Sequence, residues 1–150
     1  LGYTVVAALE CLPAAARITV AEFFEPVIRW NREHAERLSR PLDDPRVRLV
    51  HTDVWDALDG KTRYDAILLD VDNGPDAMTA SDNAWLYSPA GLRQIYQALR
   101  HEGTAAIWSA KADQQFANRL KKTGFKVQPR TVRARPGKGS RHTIFLARKP

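Results

Sequence analysis

A chain of 150 residues that is 44% hydrophobic and holds four tryptophans can bury one core, which predicts a single domain and no more. No apolar run approaches the roughly 20 residues that cross a bilayer, and the single cysteine, Cys11, excludes an internal disulfide, so a soluble protein in a reducing, cytoplasmic setting is expected, without a membrane partner. The net charge of +6 is unevenly placed: residues 1–120 hold 13 basic and 17 acidic side chains, while residues 121–150 hold ten basic and no acidic ones, a block that is either a solvated hairpin or a surface for an anionic partner such as nucleic acid.

Leu1 to Leu12 carries helix formers, has Gly2 at its mouth and stops at Pro13; on this helix Cys11 is expected to be a small buried hydrophobe. Leu1 is not a Met, nothing resembles a signal peptide, and the chain opens like the inside of a helix, so a front end before Leu1 is expected. Arg17 to Glu22 is a short β-branched strand that ends on an acid. Glu25 to Leu38 has Pro26 near its start and Val27, Trp30, Ala35 and Leu38 on one approximate face, the pattern of an amphipathic helix. Pro41 and Pro45 bracket a loop, Arg46 to His51 is the second strand, and Asp53 precedes a short helical turn from Val54 to Leu58 closed by Gly60.

Tyr64 to Leu69 is the third strand, and its lack of alternation predicts cover on both faces. Val71 to Pro89 is a long loop with Asn, Gly and Pro signals, a length that in a compact domain is usually functional. Ser88 and Pro89 start a helix that runs to about Arg100, Gly103 ends the turn, and Thr104 to Trp108 is the fourth strand. Asp113 to Thr123 is helical and stops at Gly124. Phe125 to Arg135 and Arg141 to Ala147 form a terminal antiparallel pair joined by Pro136 to Ser140.

This alternation predicts an α/β protein of the doubly wound, Rossmann-like kind, its sheet mostly parallel and closed by a C-terminal antiparallel hairpin. In such sheets ligands sit beyond the carboxyl ends of the strands. Glu22, Asp53 and Asp70 to Asp72 each follow a strand and are expected on one rim. Gly2 opens a helix and Glu22 ends the next strand 20 residues later, the separation at which a glycine turn approaches a nucleoside and an acid grips its ribose hydroxyls. Asp53 is either an acceptor for the exocyclic amine of adenine or a helix N-cap, and the two roles are compatible.

The stretches VAE at Val20 to Glu22, DPRVRLVHTD at Asp44 to Asp53, YDAILLD at Tyr64 to Asp70 and LYSPAGL at Leu86 to Leu92 resemble the spermidine synthase group of the class I S-adenosylmethionine-dependent methyltransferase fold. The resemblance covers nearly the whole chain. It implies a seven-stranded sheet with its last strand antiparallel, and a first strand and glycine loop just before Leu1, with Gly2 as that loop's final glycine. It implies that Glu22 binds the ribose and Asp53 the adenine side, within a nucleoside-binding set of Gly2, Glu22, Phe23, Asp53, Val54 and Asp70. The donor would be S-adenosylmethionine or its decarboxylated form, with no metal. Asp70 matches the family's first catalytic aspartate, which acts on the attacking amine. The chain departs from the pattern at Asn73, where the family has a second aspartate, and at Trp108 and Ser109, where it has a glutamine; the family's small N-terminal β domain is absent from these 150 residues.

An aminopropyl transfer needs one carboxylate to hold an ammonium group and another to take a proton, and Asp70 as base with Asp72 as anchor meets that need. The alternative for Asp70 to Pro75 is an Asx-rich turn that caps backbone amides. Asp65 is expected to be an exposed structural residue, and Asp76 and Asp82 to be solvated loop acids or to line a polyamine pocket. Phe23 or Phe24 flanking adenine, and Trp85, Tyr87 or Trp108 around a sulfonium, stand beside the plainer reading of core packing. His34, His51, His101 and His142 lack metal spacing, and His51 is expected to be a hydrogen-bonded strand histidine. Three functions follow: aminopropyl transfer to a polyamine or other small amine, methyl transfer on the same scaffold, and RNA binding through the basic tail, against which stands the lack of an aromatic residue between Phe125 and Phe145. A homodimer is left open.

Overall fold

The computed structural model describes residues 2–34, 40–58, 61–70, 84–135 and 138–150. The chain divides into two compact units, Leu1–Ala57 and Leu58–Pro150.

In the first unit, helix α1 (Tyr3–Cys11) opens at Gly2, whose φ of 79° lies in the left-handed region that glycine enters without steric cost. It ends at Leu12, where Pro13 forces extended backbone on the residue before it. Strands β1 (Ile18–Glu22) and β2 (Val47–His51) pair in parallel, Ile18 against Val47 and Glu22 against His51; their β-branched residues suit the pleat. Helix α2 (Glu25–Glu33) follows β1 with Pro26 in its first turn, where the missing N–H is no loss. A 3-10 turn, Pro41–Asp43, precedes β2. Arg46 pairs with Asp44 at 3.0 Å and donates to the Leu9 carbonyl at 3.3 Å, tying α1 to β2; the hydrogen bond from Arg46 holds the Asp44 carboxyl below its usual range. Helix α3 (Val54–Ala57) is a single turn.

In the second unit, β3 (Tyr64–Leu69) runs parallel to β4 (Leu99–Ser109), β4 is antiparallel to β6 (Lys138–Arg148), and β6 is antiparallel to β5 (Lys126–Arg135), giving the order β3-β4-β6-β5. Helix α4 (Pro89–Ala98) buries Leu92, Ile95 and Ala98, spaced as one helical stripe. Helix α5 (Gln114–Thr123) is capped by Asp113, which accepts from the Phe116 N–H at 2.9 Å, and is closed by Gly124 at φ 111°. The core is a chain of edge-to-face rings, Tyr87 on Phe116 at 5.7 Å and Phe116 on Phe145 at 5.2 Å. Leu86, Leu99, Ile107 and Leu120 are buried with them.

Mixed parallel and antiparallel pairing with interleaved helices is the expected α/β architecture, and the last strand is antiparallel as the resemblance implies. Four expectations are corrected. Cys11 is exposed, because it lies in the last turn of a helix that buries none of its residues. Helix α2 ends at Glu33 and buries Ile28 and Asn31, one residue round from the anticipated face; Trp30 stays exposed and stacks on His34 at 4.5 Å. Strand β3 is not covered on both faces: Ile67 and Leu69 point to the buried face, whereas Leu68, on the opposite face, is 56% exposed. Strand β4 begins at Leu99 rather than Thr104, because Leu99 already pairs with Tyr64 before an irregularity in the ladder, where Glu102 takes a positive φ of 65°. Residues 35–39, with Ala35 and Leu38, and Gly60 lie outside the described residues. Among the described residues no helix is long and apolar enough to cross a membrane.

Candidate functional site

Parallel pairing brings the ends of β1 and β2 to the same side of their sheet, so Glu22 and the segment from His51 to Asp53 are neighbours. The Thr52 N–H donates to the Glu22 carbonyl at 3.1 Å, which extends the ladder one residue past the strand. The Glu22 side chain is half-buried and folds over its own chain: Oε1 accepts from the Phe24 N–H at 2.8 Å. That bond fixes the plane of the carboxylate, and Oε2 has no partner among the described residues. His51 Nε2 bonds the Phe23 carbonyl at 2.9 Å, the hydrogen-bonded strand histidine that was expected, and joins the two strand ends a second time.

Asp53 does what a residue before a helical turn does. Its Oδ1 accepts from the Trp55 N–H at 2.7 Å and its carbonyl from the Ala57 N–H at 3.1 Å, so the N-cap role holds. Val54 begins α3 and is half-buried. Phe23 and Phe24 are 59% and 62% exposed with rings 5.4 Å apart in an edge-to-face pair. Two exposed phenylalanines beside a strand-end acid form an apolar surface of the kind a purine covers. Gly2 stands at the mouth of α1 in the same unit, its carbonyl accepting from the Val6 N–H at 2.9 Å.

Asp70 belongs to the second unit, where it follows the carboxyl end of β3 and is exposed. Asp72, Asn73, Gly74, Asp76 and Asp82 lie outside the described residues, so the anchor role given to Asp72 has no structural account. Asp65, at the opposite end of β3, is the exposed structural residue expected: Arg100 Nη1 reaches both its oxygens, at 2.9 and 3.0 Å. Tyr87 packs in the core. Burial pushes its phenol up to about 12, and the Asp70 carboxylate adds to the shift.

Neither residue at the place of the expected glutamine offers a free amide-like group. Ser109 is fully buried and its hydroxyl donates to the Lys111 carbonyl at 2.8 Å, and Trp108 lies 5.2 Å from the His142 ring. No aromatic lies between Phe125 and Phe145, as expected, but Trp108 and Arg130 both pair with Ile144, so one aromatic shares a cross-strand row with a basic residue. The sequence hid this because the row joins the terminal hairpin to β4, which precedes it by a whole helix.

No protein-family model matches this chain, and no curated protein matches it in sequence. Its backbone is similar to that of a spermidine synthase solved in complex with the transition-state analogue AdoDATO, with a TM-score of 0.82 and 19% identity over 99% of this chain and 52% of that one. It is similar to the spermidine synthase of Thermotoga maritima, with a TM-score of 0.69 and 19% identity over 89% of this chain and 46% of that one. A third likeness is to the 1,6-didemethyltoxoflavin-N1-methyltransferase of Burkholderia thailandensis, solved with S-adenosylhomocysteine, at a TM-score of 0.65 and 24% identity over 99% of this chain and 66% of that one. The chain spans about half the length of the two spermidine synthases, and what it shares with all three is the fold.

Proposed function

We propose, from the premise that this chain has the class I S-adenosylmethionine-dependent methyltransferase fold, that it is a transferase binding an S-adenosylmethionine-type nucleoside and moving an aminopropyl group to a polyamine amine. The observation that carries the reading is that Glu22 pairs with His51 at the end of the β1–β2 sheet, two residues before Asp53 and next to exposed Phe23 and Phe24. A carboxylate whose plane is fixed by one backbone N–H, with a second oxygen unoccupied, suits the two hydroxyls of a ribose, since charge-assisted hydrogen bonds are about twice as strong as neutral ones. The second oxygen of Asp53 then meets the adenine amine, Phe23 and Val54 flank the ring, and Gly2 lets backbone approach the donor closely. The chain works as a single domain in this reading.

At the reacting centre Asp70 takes a proton from the attacking amine. The C–N bond forms as the bond from the propyl carbon to the sulfonium breaks, the neutral thioether leaves, and the nitrogen's proton passes to the Asp70 carboxylate. Holding donor and amine in line supplies a large part of the rate. The buried Ser109 and the Trp108–His142 pair, which stand where the resemblance has a glutamine, favour a second reading, methyl transfer from S-adenosylmethionine itself to another small acceptor.

Incubation of the intact protein with decarboxylated S-adenosylmethionine and putrescine, read by mass spectrometry, separates the two. Spermidine as product supports aminopropyl transfer. No spermidine, together with methylated product from S-adenosylmethionine and a panel of small amines, supports the second reading and ends the first.

A further inference from the structure

The ten cations of residues 121–150, with no acid among them, lie outside the nucleoside-binding set, and the register of the sheet shows where several of them stand. Trp108, Ile144 and Arg130 form one cross-strand row, and Thr104, Arg148 and Lys126 form another. Residues paired across strands share a face, and every second residue along a strand returns to it. Lys126, Gln128, Arg130 and Val132 of β5 therefore lie on the face of Trp108, together with His142, which pairs with Val132. Helix α5 packs on the opposite face, where Phe116 meets Phe145 at 5.2 Å.

On the Trp108 face the charges are not used up by neighbours. Lys126, Gln128 and Arg130 are exposed, and neither Lys126 nor Arg130 makes an ion pair among the described residues; Arg148, in the row of Lys126, is held by Glu102. Trp108 is half-buried and backed by the His142 ring at 5.2 Å, and His142 Nε2 in turn bonds Ser140 Oγ at 2.8 Å. The indole is thus supported from behind by a ring that is itself tethered. At the rise of a strand, Lys126 and Arg130 stand about 13 Å apart, a separation that a chain of phosphates bridges and one small anion does not.

We propose that this face of β4, β6 and β5 is a docking surface for single-stranded nucleic acid, with Lys126 and Arg130 contacting phosphates and a base stacking on Trp108. An acidic peptide would meet the cations and leave the indole without a role, and a duplex keeps the faces of its bases inside the stack. A single strand offers both phosphates and unstacked bases. With one ring and few unpaired cations the surface binds weakly and without sequence preference. The inference does not depend on the roles of Glu22, Asp53 or Asp70.

The test follows a fluorescein-labelled oligouridine RNA of about 12 nucleotides by anisotropy, through a salt series, with the intact protein and its variants. Lys126→Gln and Arg130→Gln should each bind it several-fold more weakly and lower the salt slope by about one, while binding S-adenosylhomocysteine as wild type does. Trp108→Leu should lose about tenfold in affinity with the salt slope unchanged. Trp108→Phe keeps a ring: it should stay within about threefold of wild type and lose the part of the tryptophan quenching by unlabelled RNA that Trp108 supplies. Wild-type affinity in both cation variants overturns the proposal. Wild-type affinity in Trp108→Leu, or displacement of the RNA by polyglutamate at equal charge, makes the face an indifferent cationic surface and overturns it too. If Trp108→Leu does not fold, quenching that is the same in wild type and Trp108→Phe has the same consequence.

Discussion

Glu22 combines two tasks in one carboxylate: one oxygen closes the turn after β1 on the Phe24 N–H, and the other is open to a ligand. Glu22→Gln keeps the shape and one acceptor but loses the charge. We expect it to bind S-adenosylhomocysteine about tenfold more weakly, with little change in melting temperature, measured by calorimetry and thermal unfolding. Tyr87 allows a second prediction with a defined sign. Its folded-state phenol is raised to about 12 from an unfolded value of about 10, so between these values the native state binds more protons than the unfolded one. Stability is therefore unaffected below about pH 10 and falls as pH rises toward 12, with a limiting slope of about 1.4 kcal/mol per pH unit. Denaturant titrations from pH 9 upward should show this fall in wild type and its reduction in Tyr87→Phe.

Among the elements, the start of α4 sets the position of everything around Tyr87, and two substitutions divide its contributions. Ser88→Ala removes an N-cap bond and should cost about 1 kcal/mol. Gly91→Ala drives a methyl group into two backbone carbonyls that cannot yield as a side chain would, and should cost about 3 kcal/mol or more. The opposite ranking in chemical denaturation would show that the helix is held by its cap and not by close backbone approach. Elements of this kind were legible where the signal is local. Pro26, Ser88–Pro89, Asp113 and Gly124 each mark a helix boundary in the sequence by their own stereochemistry, and the structure places the boundaries there. Where the cause is distant, sequence reasoning failed: the early start of β4 depends on its pairing with Tyr64, and the exposure of Leu68 depends on which face of β3 the rest of its unit packs against. The same division holds for the site. The positions of Glu22, Asp53 and Asp70 were legible because they lie at strand ends: Glu22 closes β1, Asp53 follows β2 and Asp70 follows β3. The packing of Tyr87 was not, because a tyrosine between Leu86 and Ser88 could as well have lined a pocket until its ring is seen buried against Phe116.

For the whole molecule, charge offers the remaining signal. Lys121, Lys122, Lys126, Arg130 and Arg141 are exposed and make no ion pair among the described residues, whereas Arg148 is held by Glu102 at 2.6 Å. Trp108, in the row with Arg130, sets one aromatic beside these charges. The surface lacks the several stacking platforms that tight single-strand binders use. We therefore expect only non-specific binding of single-stranded RNA, with a Kd of about 10⁻⁴–10⁻⁶ M near physiological salt and a steep loss as salt rises, checked by fluorescence anisotropy. A Kd in the nanomolar range at physiological salt, with affinity still falling as salt rises, would move the function to nucleic acid.

Titration calorimetry of the intact protein with S-adenosylhomocysteine, in wild type and Glu22→Gln, bears most directly on the nucleoside site. Saturable one-to-one binding that weakens about tenfold in the variant is the predicted result. A wild-type protein that is folded and releases no heat of binding, or a variant that binds as tightly as wild type, would contradict it.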